Sequence, residues 1–352
     1  MRIAIDVSQI VYGTGVSVYT RNLVENLLKI DSRNEYILFA GSLRRRKDVF
    51  DVFPQAKVFP IPPTVSDIVW NRLHVLPIEK LIGKVDVFHS SDWTEPPAGA
   101  FKVTTIHDVI PLKFPEKTPK IIFETHERKL RWVALESKRI IVPSQSTKND
   151  LVEFGFREGI IRVTPEGPSL DKADEAEVQR VKKKYGIHGD YLFAIGTKPW
   201  KNIARIIDAY HLSKFGKNLK LLVAGERKGS ELSHERGVRF LGHVVAGDLS
   251  PLLTGSSCLV FASTYEGFGV PILDAFNCSV PVVTSNVSSM PEVAGDAAVL
   301  VDPYDVNSIA EGIKKALGAP KTYVSLGLRR IKDFSWEKTA KLTLDIYNEA
   351  KI

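Results

Sequence analysis

The stretch Ser263–Pro281, STYEGFGVPILDAFNCSVP, decides the fold. An apolar run, Cys258–Phe261, precedes it and another, Pro281–Thr284, closes it. The whole reads as strand, tight turn, helix, strand. Gly267 and Gly269 permit the turn and a close backbone approach to a ligand. Pro271 suits the first helical position, where its missing N–H costs nothing. Such a helix presents free amides and the positive end of its dipole, a combination that holds phosphate. Two carboxylates flank it, Glu266 before the turn and Asp274 one turn inside the helix. On spacing alone, a plain glycine-rich turn with an acidic residue that favours the helix dipole fits equally well.

Outward from this unit, short apolar runs alternate with amphipathic stretches. Arg2–Val7, Tyr36–Ala40, Val85–His89, Val103–Ile106 and Ile140–Val142 read as strands. Val16–Ile30 reads as a helix with Val16, Leu23, Leu27 and Leu28 on one face; Lys120–Ser137 and Ser146–Phe154 follow, the latter capped by Ser144 or Ser146. The charge-rich Pro165–Asp190 has no strand signal and is the expected interdomain connection. The alternation restarts with Tyr191–Ile195, Ile203–Leu212, Leu219–Ala224 and Val238–Leu241, and continues through Cys258–Phe261, Pro281–Thr284 and Ala298–Val301. Ser335–Ala350 closes the chain as a helix with Trp336, Leu342, Ile346 and Tyr347 as its stripe. Near-continuous apolar strands separated by helices indicate parallel sheets covered on both faces. The 352 residues suffice for two such domains.

The net charge is +7, but it is spread evenly: 24 basic and 20 acidic residues lie in 1–170, and 24 and 21 in the remainder. A nucleic-acid binder concentrates its excess, so no nucleic-acid partner is expected. Two local patches stand out. Arg44–Lys47 is a compact basic run beside Leu43, Val49 and Phe50, and Lys113–Arg139 holds eight basic and four acidic residues with Phe114, Phe123 and Trp132 interleaved. They fit peripheral contact with an anionic membrane as well as they fit solvated helix faces. Cys258 and Cys278 follow no C-x-x-C pattern and are expected as small buried hydrophobes with reduced thiols. The opening MRIAIDVSQI reads as a strand, not a signal peptide, so a cytoplasmic location is expected, peripheral at the inner face of the plasma membrane where the basic patches engage it.

Three further places carry chemistry. Gly196–Asn202 (GTKPWKN) follows the first strand of the second domain, and a cation there would neutralise a diphosphate leaving group without a metal. Gly13-Thr14-Gly15 follows the first strand, but Val18 stands where a dinucleotide fingerprint needs its third glycine. His107-Asp108 ends the Val103–Ile106 strand, and a histidine there can exchange a proton or a hydrogen bond near neutrality. There is no D-x-D, no P-loop signature and no G-x-S-x-G elbow. The histidines show no metal-ligand spacing, so neither a metal nor any other cofactor is expected.

With these residues in view, the chain resembles the retaining glycosyltransferases of family 4, the group 1 glycosyltransferases, which have the GT-B fold. Glu266 to Asp274 is similar to their E-x7-E signature, with Asp in place of the second Glu. ASTYEGFGVP (262–271), VPVVTSN (280–286), MPEVAGDA (290–297), TIHDVI (105–110), IVPS (141–144), RVTPEG (162–167) and VDPY (301–304) match the family's phrases in order. The resemblance implies an α/β fold of two Rossmann-like, doubly wound parallel-sheet domains facing a central cleft. The expected domains are 1–168 plus 335–352, on the acceptor side, and 169–334, which binds the nucleotide sugar.

It also implies roles for individual residues. Glu266 lies by the donor sugar and is tied to transfer, and His107 reaches the reacting centre; both are the expected catalytic residues. Asp274 hydrogen-bonds the nucleotide ribose. The amides of Phe268, Gly269 and Val270 meet sugar hydroxyls and diphosphate. Lys201 binds phosphate, Lys198 adds a second charge, Gly15 borders the diphosphate, and His243 and Val244 meet the base. Trp200 stands where the family often has Arg, and takes no phosphate role. The expected activity moves a hexose, mannose from GDP-mannose by the likeness of TIHDVIPLKFPE and GTKPWKN to mannosyl- and rhamnosyltransferases, to a hydroxyl of a glycan or lipid-linked acceptor. A UDP- or dTDP-sugar donor, a nucleotide-sugar epimerase and a non-catalytic binder are the alternatives.

Overall fold

The computed structural model describes residues 1–90, 92–215, 218–226 and 236–351. The chain forms two compact units, Met1–Glu166 with Trp336–Ile352, and Gly167–Ser335. The divisions expected at 168/169 and 334/335 thus fall at 166/167 and 335/336.

In the first unit the strands are β1 (Arg2–Asp6), β2 (Glu35–Gly41), β3 (Lys57–Phe59), β4 (Val87–Ser90), β5 (Phe101–Thr105), β6 (Arg139–Val142) and β7 (Ile161–Val163). Their order in the sheet is β3-β2-β1-β4-β5-β6-β7, every pair parallel. The sheet is covered on both faces, by a cluster around Ile3, Leu23, Leu27 and Val103 and by one around Phe39, Trp70 and Phe88. β3 and β7, three residues each, were not read as strands from the sequence.

The second unit holds β8 (Asp190–Ile195), β9 (Leu219–Ala224), β10 (Val238–Phe240), β11 (Cys258–Phe261), β12 (Val282–Ser285) and β13 (Val299–Val301). They lie parallel in the order β10-β9-β8-β11-β12-β13. Both cysteines are buried in its core, and burial pushes the Cys258 thiol up to about 12. The charge-rich segment expected as a connection contains a helix, Glu175–Lys184. Asp174 accepts from Glu177 N at 2.8 Å while Glu177 accepts from Asp174 N at 3.0 Å, which satisfies the first free amides of that helix.

Each sheet has one place where the strand order reverses, between β1 and β4 and between β8 and β11. Loops leaving the carboxyl ends of such neighbours part in opposite directions and open a crevice that takes ligands. The sequence-selected loops sit there. Gly13–Gly15 and the segment from Asp92 follow β1 and β4; Gly196–Asn202 and Ser263–Gly269 follow β8 and β11.

The last helix, Trp336–Asn348, belongs to the first unit. Trp336, Ala340, Ile346 and Tyr347 are buried with Tyr19, Leu23 and Leu27 of the Gly15–Ile30 helix. Leu342 and Leu28, expected on buried faces, are 41% and 40% exposed. Thr339 and Thr343 take the inner positions near Leu342, their hydroxyls donating to Pro165 O (2.6 Å) and Thr339 O (2.8 Å); Val24 and Leu27 do so beside Leu28. Ile346→Ala should lower the unfolding free energy by about 2–5 kcal/mol through the cavity left behind, read as a drop in the urea midpoint; an unchanged midpoint would show that this helix is not part of the first core.

Candidate functional site

The second unit joins two of the residues selected from sequence. Lys201 Nζ lies 2.7 Å from Glu266 Oε1, and the two side chains are 18% and 12% exposed. Three local features hold them. Gly196 has φ +85°, and a Cβ there would come within 3.2 Å of the Lys201 stem, so glycine makes room for the lysine. Asn202, at φ +60°, donates from Nδ2 to Ala262 O (2.9 Å) and Pro303 O (2.7 Å), and Thr264 N donates to Trp200 O at 2.8 Å. The loops after β8 and β11 are therefore stitched to each other. Lys201 Nζ also sits 4.6 Å from the Phe261 ring centroid, an attraction between cation and ring face.

The Glu266 turn is braced by two residues that the sequence reading did not single out. Ser288 Oγ donates to Glu266 O at 2.6 Å, and the Ser289 hydroxyl is shared between Glu266 O (2.9 Å) and Phe268 O (2.6 Å). Both follow β12, in the NVSSMPE stretch; the only sequence signal was a pair of serines at a strand end. Phe268 has its ring in the core, edge-on to Phe334 at 6.0 Å, so only its backbone is available to a ligand. Gly269, at φ +117°, precedes the Val270–Asn277 helix, with Pro271 in its first turn. Lys198 is exposed, and Val244 is half-buried against the core.

The Asp274 carboxylate is buried and accepts from Ser169 N (2.6 Å), Ser169 Oγ (2.9 Å) and Leu170 N (2.9 Å). One methylene shorter than Glu, it holds the first residues of the second unit.

In the first unit His107 follows β5. Its Nδ1 is 3.5 Å from Glu166 Oε1, and its ring meets the Tyr19 ring edge-on at 4.5 Å. Burial pulls its pKa down, but the Glu166 contact and the charges of Asp92, Glu166 and Asp108 outweigh burial and raise it. Burial pushes Asp92 up, and Lys129, His107 and His126 together bring it below its usual value. Glu166 and Asp92 were not singled out from sequence; Glu166 lies in the quoted RVTPEG phrase, but its partner is 59 positions away and only the sheet brings the two together. Neighbouring His89, bonded to Tyr347 Oη (2.6 Å) and Thr105 Oγ1 (2.8 Å), is driven by burial to a pKa of about 3 and stays neutral. Gly15 is exposed at the first position of its helix, and a methyl group in place of its hydrogen would meet no atom within 4 Å. Among the described residues no group of three or more His, Cys, Asp or Glu converges as metal ligands would.

Two parallel-sheet units with their loops at the strand-order reversals define a GT-B glycosyltransferase architecture. Solved structures agree across nearly the whole chain: a Thermosynechococcus elongatus sucrose-phosphate synthase (TM-score 0.75, 18% identity, 99% of this chain and 98% of that one), Anabaena HepE in complex with UDP and glucose (0.73, 16%, 99% and 100%), and WaaG, a glycosyltransferase involved in lipopolysaccharide biosynthesis (0.71, 15%, 98% and 99%). The chain belongs to the family 4, group 1 glycosyltransferases. The Glycosyltransferase Family 4 model matches residues 13–172 and the Glycosyl transferases group 1 model residues 177–332. O-antigen chain mannosyltransferase B of Escherichia coli is 33% identical over 280 residues, 74% of each chain. The serotype-specific mannosyltransferase WbdA of the same species is 28% identical over 231 residues, 58% of this chain but 28% of that longer protein.

Glu166→Gln should lower the pKa of His107, read by NMR titration of the imidazole. The sign follows from the raised value: the imidazolium–Glu166 pairing contributes stability below the unfolded value of 6.5 and loses it as pH rises through the folded value. Wild type and variant should therefore differ in acid and converge in alkali. An unmoved His107 titration would remove Glu166 as its partner.

Proposed function

We propose that this glycosyltransferase is a retaining enzyme that moves mannose from GDP-mannose to a hydroxyl of a glycan or lipid-linked acceptor in polysaccharide assembly, without a metal or other cofactor. The observation that carries the reading is the Lys201–Glu266 pair beside the glycine-opened helix at Val270; the likeness to an O-antigen mannosyltransferase supports mannose as the sugar. The bond from sugar C1 to the β-phosphate oxygen breaks as the acceptor oxygen bonds C1 on the same face. The acceptor's proton passes to the departing phosphate oxygen, so no protein base is needed. Lys201, with Lys198 as a second cation, neutralises the diphosphate, as do the amides of Phe268, Gly269 and Val270 and the loop at Gly15. Glu266 orients the sugar and stabilises developing positive charge at C1. His107, held by Glu166, serves the reacting centre from the first unit. Val244 lines the base. Asp274, which orders Ser169 and Leu170, meets the nucleotide ribose.

GDP should raise the melting temperature more than UDP, ADP or dTDP, by mass action on the folded state; a preference for UDP or dTDP would overturn the donor. Glu266→Ala should retain GDP stabilisation and lose about 10²–10³-fold in transfer rate. Unchanged turnover in that variant would remove its role.

Peripheral contact with an anionic membrane is part of the reading. In Lys113–Arg139, Lys113, Arg128 and Arg139 are paired with Asp150, Asp67 and Glu349 and Lys129 is buried, while Lys117, Lys120, Arg131 and Lys138 are exposed. Arg44, Arg46 and Lys47 are exposed beside Leu43 (50% exposed) and Phe50 (37%). No helix among the described residues is long and apolar enough to cross a membrane. The purified protein should sediment with anionic vesicles at low salt, and replacing Arg44, Arg46 and Lys47 by Ser should weaken this by about 1 kcal/mol per residue. Equal binding to neutral vesicles would discard the contact.

A further inference from the structure

Tyr19 stands about one turn into the Gly15–Ile30 helix and is buried. Its ring meets the His107 imidazole at 4.5 Å and the Trp336 indole at 5.8 Å, the ring planes crossing at 81° and 71°. Crossed rings at such separations attract each other through the charge of edge and face, and a close-packed interior leaves them little room to turn. An aromatic chain thus runs from the first residue of the last helix, through Tyr19, to His107.

The Tyr19 hydroxyl is held as well. It lies 3.3 Å from Thr105 Oγ1, which is 2.8 Å from His89 Nε2, and His89 Nδ1 is 2.6 Å from Tyr347 Oη. Trp336 and Tyr347 are about three turns apart on the last helix, and both are buried. That helix therefore reaches Tyr19 twice, by a ring at its start and by hydrogen bonds near its end. Burial raises the Tyr19 pKa, so the phenol stays neutral and adds no charge beside the imidazole.

The charged neighbours of His107 are Glu166, Asp92 and Asp108, with neutral His89 close by. The Glu166 contact, 3.5 Å at Nδ1, supplies charge, but one contact at one ring atom leaves the imidazole free to swing about it. A ring standing across the imidazole removes that freedom. Both supports sit where the chain crosses between units: Glu166 is the last residue before it leaves the first unit, and Trp336 is the first after it returns. Thr339 of the returning helix donates to Pro165 O at 2.6 Å and ties the two crossings together.

We propose that Tyr19 and Trp336 are positioning residues for His107, and that the last helix serves the transfer reaction through them as well as completing the first core. The proposal rests on the reading that places His107 at the reacting centre, and adds to it the side chains that aim the imidazole. Neither residue touches substrate; each acts through the histidine.

The test has two readouts on the whole protein. In the first, histidine-labelled protein is titrated by NMR, with His107→Ala to assign the signal. Trp336→Leu and Tyr19→Leu should each shift the His107 signals and lower its pKa, because the ring no longer stays beside Glu166, while histidines remote from it titrate as before. Trp336→Phe, which keeps a ring, should restore the wild-type titration. In the second, GDP release from GDP-mannose is followed with water as the only acceptor. His107→Ala should slow it. Trp336→Leu should slow it about ten-fold at saturating donor, with KM unchanged, and should add nothing further in the His107→Ala background, because the two residues act as one unit.

Unmoved His107 signals in both leucine variants would overturn the proposal. So would an equal loss of rate from Trp336→Leu in both backgrounds, which is what a merely structural role gives. Should Trp336→Leu unfold the protein, Tyr19→Phe decides in its place: it removes only the contact with Thr105 and should still shift His107, and an unmoved signal there overturns the proposal. Unchanged GDP release in His107→Ala would count against the role of His107, and no release by wild type against the donor; in either case the NMR titration alone decides the positioning.

Discussion

The constraint on which the molecule depends is the reversal of strand order inside each all-parallel sheet. Parallel neighbours cannot be joined by hairpins, so every connection is a crossover that returns through a helix. All loops that follow the strands then gather at one edge of the sheet. Where the order reverses, beside β1 in the first unit and beside β8 in the second, neighbouring loops diverge and leave room for a ligand. The chemistry-bearing loops occupy those gaps because no other part of a parallel sheet offers free backbone amides next to open space.

Within the second unit this geometry brings together two groups that are expensive to bury alone. A lysine and a glutamate at 18% and 12% exposure lose much of their hydration, and the pair is tolerable only because each partner compensates the other. Small features support it: a glycine at φ +85° whose missing Cβ gives the lysine stem its space, and two serines that anchor the glutamate's turn.

The first unit uses the same logic on a histidine. Glu166 and Asp92 supply the negative charge that offsets the burial of the imidazolium, and the Tyr19 ring limits how the imidazole can turn. Polar groups inside a packed sheet domain are kept in register by this kind of mutual satisfaction.

Most strands were legible because a buried parallel strand is a continuous apolar run; Leu219–Ala224 and Cys258–Phe261 emerge at the bounds read from sequence, while β3 and β7 were passed over. The helix hidden in the charged connection was missed because its buried face is only Val178 and Val181. Glu266, Lys201 and His107 could be selected from their own phrases, since a local motif travels with its loop. What the chain alone determined was the class of fold and its two units. Only the tertiary structure decided the partners of the selected residues: Lys201 with Glu266 across 65 positions, His107 with Glu166 across 59, and Asp274 turned to Ser169 across 105. Periodicity reports which face a residue buries; it carries no record of which distant side chain the crossovers will bring to meet it.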